Sequence, residues 1–416
     1  MERLTFLTPE QARRIREQYG TPVFVYDENS LRENAAMATA FPNAYGLVAR
    51  YAMKANPNAS ILRIFADAGM HIDASSEFEV QRAILADIPA AHISLSSQEV
   101  PSDINALMDK GILYNATSLW QLENYGRTRP GTEVGLRLNP GVGSGGTTKT
   151  NVGGPSSSFG LWHEQIDEAK TLCEKYGVKV VRIHTHIGSG SDPNVWQKTS
   201  GMSIELVKHF PDVHTLNLGG GYKVGRMSFE QSTDLQTVGS PVKELFERFA
   251  EEYGRKLTLE IEPGTFMVGN AGCIVSTIQD IVHTGNDGYR FLRIDGGMTD
   301  ILRPSLYGAQ HPMSVIGAEN DSEETDEYIV TGHCCESGDM LTPAPDKPDD
   351  LAPRKLAKAT IGDLLIIDGT GAYCSAMCAK NYNSFPETPE VLLQADGTFR
   401  QVRKRQTLEQ IIANEV

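Results

Sequence analysis

The chain is short of basic residues. Its 38 lysines and arginines face 53 aspartates and glutamates, a formal net charge of -15 over 416 residues. A surface of that sign repels phosphate backbones and anionic lipid, which argues against nucleic acid or a membrane surface as the main partner. Long hydrophobic runs are also missing, and none approaches the ~20 apolar residues of a membrane span. The opening MERLTFLTPEQARRIREQYG lacks the apolar core of an export signal and reads as an amphipathic helix, so a cytoplasmic location is expected. Cysteine is sparse: Cys173, Cys273, Cys334, Cys335, Cys374 and Cys378, with no CxxC pair among them. That excludes a disulfide framework and leaves no usual zinc spacing, so these thiols read as small buried hydrophobes and no metal is expected.

What the chain does have is room for two domains, with 40% hydrophobic and 22% charged residues, ordinary for a globular protein. Eight β-rich runs lie at 45–53, 70–74, 92–96, 112–115, 133–138, 179–187, 213–218 and 257–262. Helical patterns separate most of them, at 60–68, 77–86, 119–125, 164–176 and 242–253. Alternating βα units imply a parallel sheet with helices outside, and eight of them favour a closed (β/α)8 barrel of the TIM type over an open sheet with extra strands. Beyond about residue 270, strand-like runs at 272–282, 290–294, 327–331, 363–367 and 390–393 have few long helical patterns between them. This is a mostly β C-terminal domain, and 22–26 (PVFVY) reads as an N-terminal strand joining it. The expected boundaries are 28–268 for the barrel, with 1–27 and 269–416 forming the β-rich domain. The Gly/Ser/Thr-rich stretch 141–158 is expected to be a mobile active-site loop, and the acidic stretch 320–327 solvated surface.

In a barrel of this kind functional groups collect at the C-terminal strand ends. Those ends carry Lys54, Asp73, Arg137 with Asn139, His186, Gly219-Gly220-Gly221 and Glu262. Lys54, in YAMKANPN, is either a solvated strand-end lysine or a desolvated amine able to form a Schiff base. The glycine triplet is a turn or an anion nest, to which Ser189 could add a hydroxyl. Glu262 either pairs with an arginine such as Arg137 or faces a pyridine nitrogen and keeps it protonated. His186 is open to three readings: metal ligand, general base, or a ring stacked on a planar cofactor. Lysine, phosphate nest and ring-nitrogen carboxylate together describe a site for pyridoxal 5′-phosphate.

These residues resemble the fold-type III pyridoxal-phosphate decarboxylases, most closely the diaminopimelate decarboxylase branch. The resemblance runs from about residue 22 to the C-terminus, through YAMKANPN, HIDASSEFEV, RLNPG, HTHIGSGSD, LGGG, EPG, DGGMTDILRPSLYG, CCESGDML and GAYCSAMCAKNYN. It implies a pyridoxal-phosphate-dependent carboxy-lyase that converts meso-2,6-diaminopimelate to L-lysine and CO2. The alternatives are a decarboxylase of carboxynorspermidine, ornithine or lysine, and, in another class, a non-catalytic cofactor-binding regulator. It implies that Lys54 holds the cofactor, His186 stacks on its ring and Glu262 binds its nitrogen. Asp73 is assigned to the same cofactor site, with Ser189, Gly221, Gly264 and Tyr373 at the phosphate. Cys335, the acid that protonates the carbanion, and Glu336, which meets the distal amine, would come from the partner chain of a homodimer. Arg303, Tyr307 and Tyr373 would bind substrate, Arg303 taking its far carboxylate, for which a bidentate arginine is the suitable donor. The chain departs from the family at Thr265 and Phe385, where arginine is usual, and Lys223 and Lys380 are candidates for the missing charge.

Overall fold

The computed structural model describes residues 4–142, 153–186, 192–319 and 321–416. The chain forms two compact units: Arg32–Val224 with Gln231–Met267, and Met1–Leu31 with Gly225–Glu230 and Val268–Val416.

In the first unit the strands are Leu47–Ala52, His71–Ala74, Ile93–Leu95, Leu113–Ala116, Glu133–Asn139, Lys179–His184, Thr215–Asn217 and Thr258–Ile261. They are called barrel strands one to eight below. Each pairs in parallel with the next, and the eighth returns to the first with Leu259 opposite Leu47 and Ile261 opposite Ala49. That closure decides for a barrel over an open sheet. The outer helices begin where side chains can cap them. Asn58, Ser76, Asp103, Ser118 and Asp234 each accept a backbone N–H of the turn that follows, satisfying donors the helix leaves unpaired. The helix Pro193–Val207 carries no clear apolar stripe in its sequence, but Asp192 caps it and Pro193 opens it.

The barrel interior is polar at one level. Glu260, on strand eight, is buried between Arg50 of strand one (Nη2–Oε1 2.7 Å) and Arg182 of strand six (Nε–Oε2 3.3 Å). Burial alone would raise the Glu260 pKa, but the two guanidinium groups bring it below the ordinary value.

In the second unit the sheet runs Arg354–Ala357, Thr325–Thr331, Arg290–Ile294, Gly272–His283, Val23–Asp27, Glu390–Leu393 and Phe399–Arg403. Leu364–Asp368 pairs with both Gly272–His283 and Met313–Ile316. Val23–Asp27 is fully buried, antiparallel to Gly272–His283 on one side and parallel to Glu390–Leu393 on the other. Its core packs Val23, Val25, Cys273, Val275, Leu364, Ile366, Val391 and Leu393 with Ala12 and Ile15 of the helix Pro9–Tyr19. Five strands here escape sequence reading: Met313–Ile316, Pro343–Ala344, Lys347–Leu351, Arg354–Ala357 and Phe399–Arg403. The acidic stretch lies at the surface as expected over its described residues, and its end, from Thr325, opens the strand Thr325–Thr331 and pairs with Arg354–Ala357.

Removing one partner of a buried ion cluster leaves the others as uncompensated charges. Glu260→Ala is therefore expected to cost about 3–5 kcal/mol of unfolding free energy. Urea denaturation checks it, and an unchanged midpoint would show that the two arginines need no counter-charge.

Candidate active site

Lys54 lies on the 3-10 turn Met53–Ala55 directly after strand one, between buried Met53 and Ala55. Its own side chain is exposed, so the desolvated amine considered from the sequence is not what the structure shows. The turn is fastened by the Ala52 N–H, which donates to the Pro263 carbonyl (3.2 Å) beside Glu262. At the end of strand two, Asp73 is only 4% exposed, and its Oδ1 has no hydrogen-bond partner. Burial pushes its pKa well above the carboxylate range and the negative Glu262 adds to that, against the pull of Lys54 and Arg137.

Strand alternation places Glu260 and Glu262 on the same side of the chain, facing the barrel interior. Asn217 Nδ2, at the end of strand seven, donates to Glu262 Oε1 (2.6 Å). His184 Nε2 lies 3.1 Å from Oε2, off the line of a hydrogen bond. Behind it His184 Nδ1 pairs with Ser96 Oγ (3.0 Å), which in turn accepts from Asn115 Nδ2 (3.0 Å). Arg137, at the end of strand five, is buried with its guanidinium 5.1 Å from the Phe159 ring centroid. Burial alone would raise the Glu262 pKa; His184, His186 and Arg137 together hold it well below the usual range. Burial keeps both imidazoles below their ordinary values. At neutral pH the group is an ionised carboxylate beside neutral imidazoles, with Arg137 carrying the positive charge.

The glycine triplet closes this arrangement. Gly219 and Gly221 have φ of 72° and 104°, backbone that suits glycine, and a Cβ on Gly220 would collide with the Glu262 carbonyl. The Gly219 N–H donates to Asn217 Oδ1 (2.8 Å) and the Gly220 N–H to His186 Nδ1 (3.1 Å). His186 Nδ1 is thus an acceptor, which leaves the proton on Nε2. Two of the three N–H groups are already committed, so Gly221 is the member with no partner among the described residues. Gly264 is buried and accepts the Met267 N–H (3.0 Å), and Thr265 opens the short helix Thr265–Val268.

The β-rich unit carries the remaining candidates. Arg303 opens the helix Arg303–Tyr307, its guanidinium 5.9 Å from the Tyr307 ring centroid. Cys335 and Glu336 sit on an exposed loop tip whose base is clamped by buried Asp339. Asp339 accepts the N–H groups of Met298 (2.6 Å) and Cys334 (2.8 Å), and the Cys335 N–H donates to Asn383 Oδ1 (2.9 Å). Tyr373 has φ of 55°, an unusual conformation for an aromatic residue and a mark of a constrained turn. All described cysteines are free, and no group of three or more His, Cys, Asp or Glu among the described residues is placed to hold a metal ion.

The structure thus brings Lys54, Asp73, Arg137, His186, the glycine triplet and Glu262 together in the barrel unit. Arg303, Tyr307, Cys335, Glu336 and Tyr373 belong to the β-rich unit. Ser189 and most of the 141–158 loop lie outside the described residues. Asn139 is a loop anchor: its Oδ1 accepts from Gly141 (3.1 Å) and Gly154 (2.9 Å). Sequence reading passed over Asn217 and Ser96. The available signal was a polar side chain at the end of an otherwise apolar strand, where a barrel directs it inward. No helix among the described residues is long and apolar enough to cross a membrane.

Residues 30–269 match the family described as pyridoxal-dependent decarboxylase, pyridoxal binding domain. Over 99% of its length the chain is similar to the diaminopimelate decarboxylase of Escherichia coli K12, with 34% identity and 98% of that protein covered. It is 32% identical to that of Streptomyces coelicolor over 96% of the chain and 90% of the relative. Among solved structures, a diaminopimelate decarboxylase superposes with a TM-score of 0.92 at 32% identity, covering 99% of each chain. The Helicobacter pylori enzyme complexed with L-lysine gives 0.83 at 27% identity, over 97% of this chain and 98% of that one.

Asp73 gives a test of the site's electrostatics. Its folded pKa is raised, so the fold favours the protonated form. The resulting stability is fully present below the unfolded value and is lost as pH rises through the folded pKa. Asp73→Asn cannot ionise, so its melting temperature relative to the parent should climb as pH rises above the ordinary aspartate range. Thermal melts of both chains without cofactor check this, and a pH-independent difference would contradict the charge assignment.

Proposed function

Since the chain belongs to the diaminopimelate decarboxylases, within the pyridoxal-dependent decarboxylase family, we propose that it converts meso-2,6-diaminopimelate to L-lysine and CO2. The observation that carries this reading is the ionised Glu262, buried in a ring of donors close to the rim that bears Lys54. The cofactor is pyridoxal 5′-phosphate, and the residues fit it. Asp73 Oδ1 and the Gly221 N–H lack partners among the described residues, and Glu262 can hold a proton on a pyridine nitrogen. When bound, this cofactor supplies an electron sink for the electron pair left at Cα as CO2 departs.

The chain's own groups divide the remaining work. Lys54 anchors the cofactor through its amine, which its exposed position leaves accessible. Glu262 keeps the ring nitrogen protonated, because an ionised carboxylate fixed by Asn217 takes up that charge without rearranging. Neutral His186, its Nδ1 held by Gly220, offers a flat uncharged face for the ring. Gly221, Gly264, Tyr373 and Ser189 are assigned to the phosphate, and Asp73 to the cofactor site. The Cys335 thiol delivers the proton that Cα needs after CO2 leaves, and Glu336 receives the distal amine. Both sit on an exposed, well-anchored loop tip, which suits a homodimer in which a second copy supplies them. Arg303 and Tyr307 take the carboxylate at the substrate's far end. The barrel is assigned to about 28–268, and the cofactor-binding match covers 30–269. Free thiols throughout the described chain go with a cytoplasmic setting.

Release of CO2 and lysine should be seen with meso-diaminopimelate and be far slower with ornithine or carboxynorspermidine. Equal turnover of ornithine would displace this reading in favour of a broader decarboxylase. Lys54→Ala should lose both turnover and the visible absorbance of bound cofactor. Cys335→Ala should keep that absorbance while turnover falls by roughly 10²–10⁴, the range for a positioned general acid. A near-parental rate would remove Cys335 from proton delivery.

A further inference from the structure

Two cations of the β-rich unit, Arg226 and Arg303, keep buried N–H groups without a partner. Arg226 lies in the segment Gly225–Glu230, after the glycine triplet, and counts with the β-rich unit. Its Nε donates to the Gly369 carbonyl (2.8 Å), and its aliphatic stem packs so closely on Gly369 that a Cβ there would come within 2.9 Å of Cγ and Cδ. Its Nη2 is shielded from water and has no partner. Arg303 is the neighbouring cation, and its Nε is likewise shielded and unpartnered. His311, whose Nδ1 pairs with the Asp368 carbonyl (3.0 Å), keeps its Nε2 unpaired, and so does Thr370 with its Oγ1. Burial and then the Arg303 charge push the Arg226 pKa down to about 9. His311 is depressed by burial and then by the same two arginines, so it stays neutral and adds no charge. The anionic counterparts close to Arg226 are slight: Glu230, whose carboxylate is occupied by the Arg226 and Met227 N–H groups (2.8 and 3.0 Å), and Cys374, whose thiol burial raises to about 11.

Two buried guanidinium groups that repel one another and keep unsatisfied N–H donors are costly, and an anion reached by both removes the cost. We propose that Arg226 is the second guanidinium for the far-end carboxylate of the substrate, acting beside Arg303 as a specificity-determining residue. Arg226 therefore supplies the charge missing at Thr265 and Phe385. The two lysine candidates are less suited to it. Lys380 is already paired with Glu387 (2.7 Å), and Lys223 is an exposed side chain of the barrel unit.

This rests on the diaminopimelate reading, and the test separates the two. L-lysine keeps the far-end carboxylate, whereas cadaverine has the same two amines and no carboxylate. With the cofactor-loaded enzyme, KM for meso-diaminopimelate and inhibition constants for L-lysine and cadaverine are measured in the parent, Arg226→Met and Arg226→Lys. In Arg226→Met the KM should rise and L-lysine inhibition weaken by about 10- to 100-fold, the size of one lost charge-assisted hydrogen bond, while cadaverine inhibition stays within about threefold. Arg226→Lys should recover part of the loss. Cofactor absorbance and melting temperature identify a variant that has merely misfolded, and Arg226→Lys then carries the comparison. Equal weakening of lysine and cadaverine, or no weakening of either, would overturn the role of Arg226. A parent enzyme that fails to release CO2 from diaminopimelate would instead overturn the underlying reading.

Discussion

Two carboxylates on the last barrel strand organise the barrel unit. Glu260 and Glu262 are two residues apart, so the pleat turns both toward the same interior. An ionised carboxylate there is tolerated only with donors around it, and they come from across the barrel. Arg50 and Arg182 serve Glu260, while Asn217, His184 and Arg137 surround Glu262. Strands one, five, six and seven are thereby tied to the eighth by specific polar groups as well as by the ladder. A one-residue slip of any of them would turn a polar side chain out of the barrel and leave its partner bare. The same set that fixes register sets the protonation of Glu262, so stability and chemistry share one network.

Some buried polar groups of the chain are fully matched and others are not. Glu260 has two cations and Asp339 has two backbone donors; both are fully employed in holding the fold. Asp73 Oδ1, Arg226 Nη2, Arg303 Nε and His311 Nε2 are enclosed yet lack partners. Buried polar groups are normally satisfied, so a cluster of exceptions indicates where something outside the chain completes the bonding. In the barrel unit one of these exceptions, Asp73, is an acid next to cofactor residues. In the β-rich unit the exceptions are cations and their neighbours, as a dicarboxylate substrate requires.

Much of this was legible in the sequence because periodicity carries it. The eight barrel strands appear as short apolar runs between amphipathic helices, and all eight emerge within a few residues of their expected limits. Their ends display Lys54, Asp73, His186 and Glu262 in chain order. The helix Pro193–Val207 was missed because Gly201 and its serines blur the apolar stripe. Met313–Ile316 was missed because a four-residue strand with Ser314 in it gives little pattern. Arg226 could not be read from its surroundings, since its partner carbonyl at Gly369 lies 143 residues away. For Lys54, which the sequence left open between a solvated and a desolvated side chain, the structure shows the exposed one. Strand logic buries Met53 and Ala55, whereas the 3-10 turn presents the residue between them to solvent.

The placing of Val23–Asp27 has a consequence for how the chain is made. It is among the first strands to leave a ribosome, yet both its sheet neighbours, Gly272–His283 and Glu390–Leu393, come much later. The barrel strands between them need nothing from either end to close on one another. Synthesis therefore delivers all the barrel strands while an apolar strand waits upstream with both edges bare, the condition in which nascent chains pair with the wrong neighbour. At roughly 5–20 residues per second, that wait lasts many seconds, and it ends only when Glu390–Leu393 emerges. Quality control of this protein in the cell should therefore hinge on Glu390–Leu393, although the chemistry of the barrel lies far upstream of it.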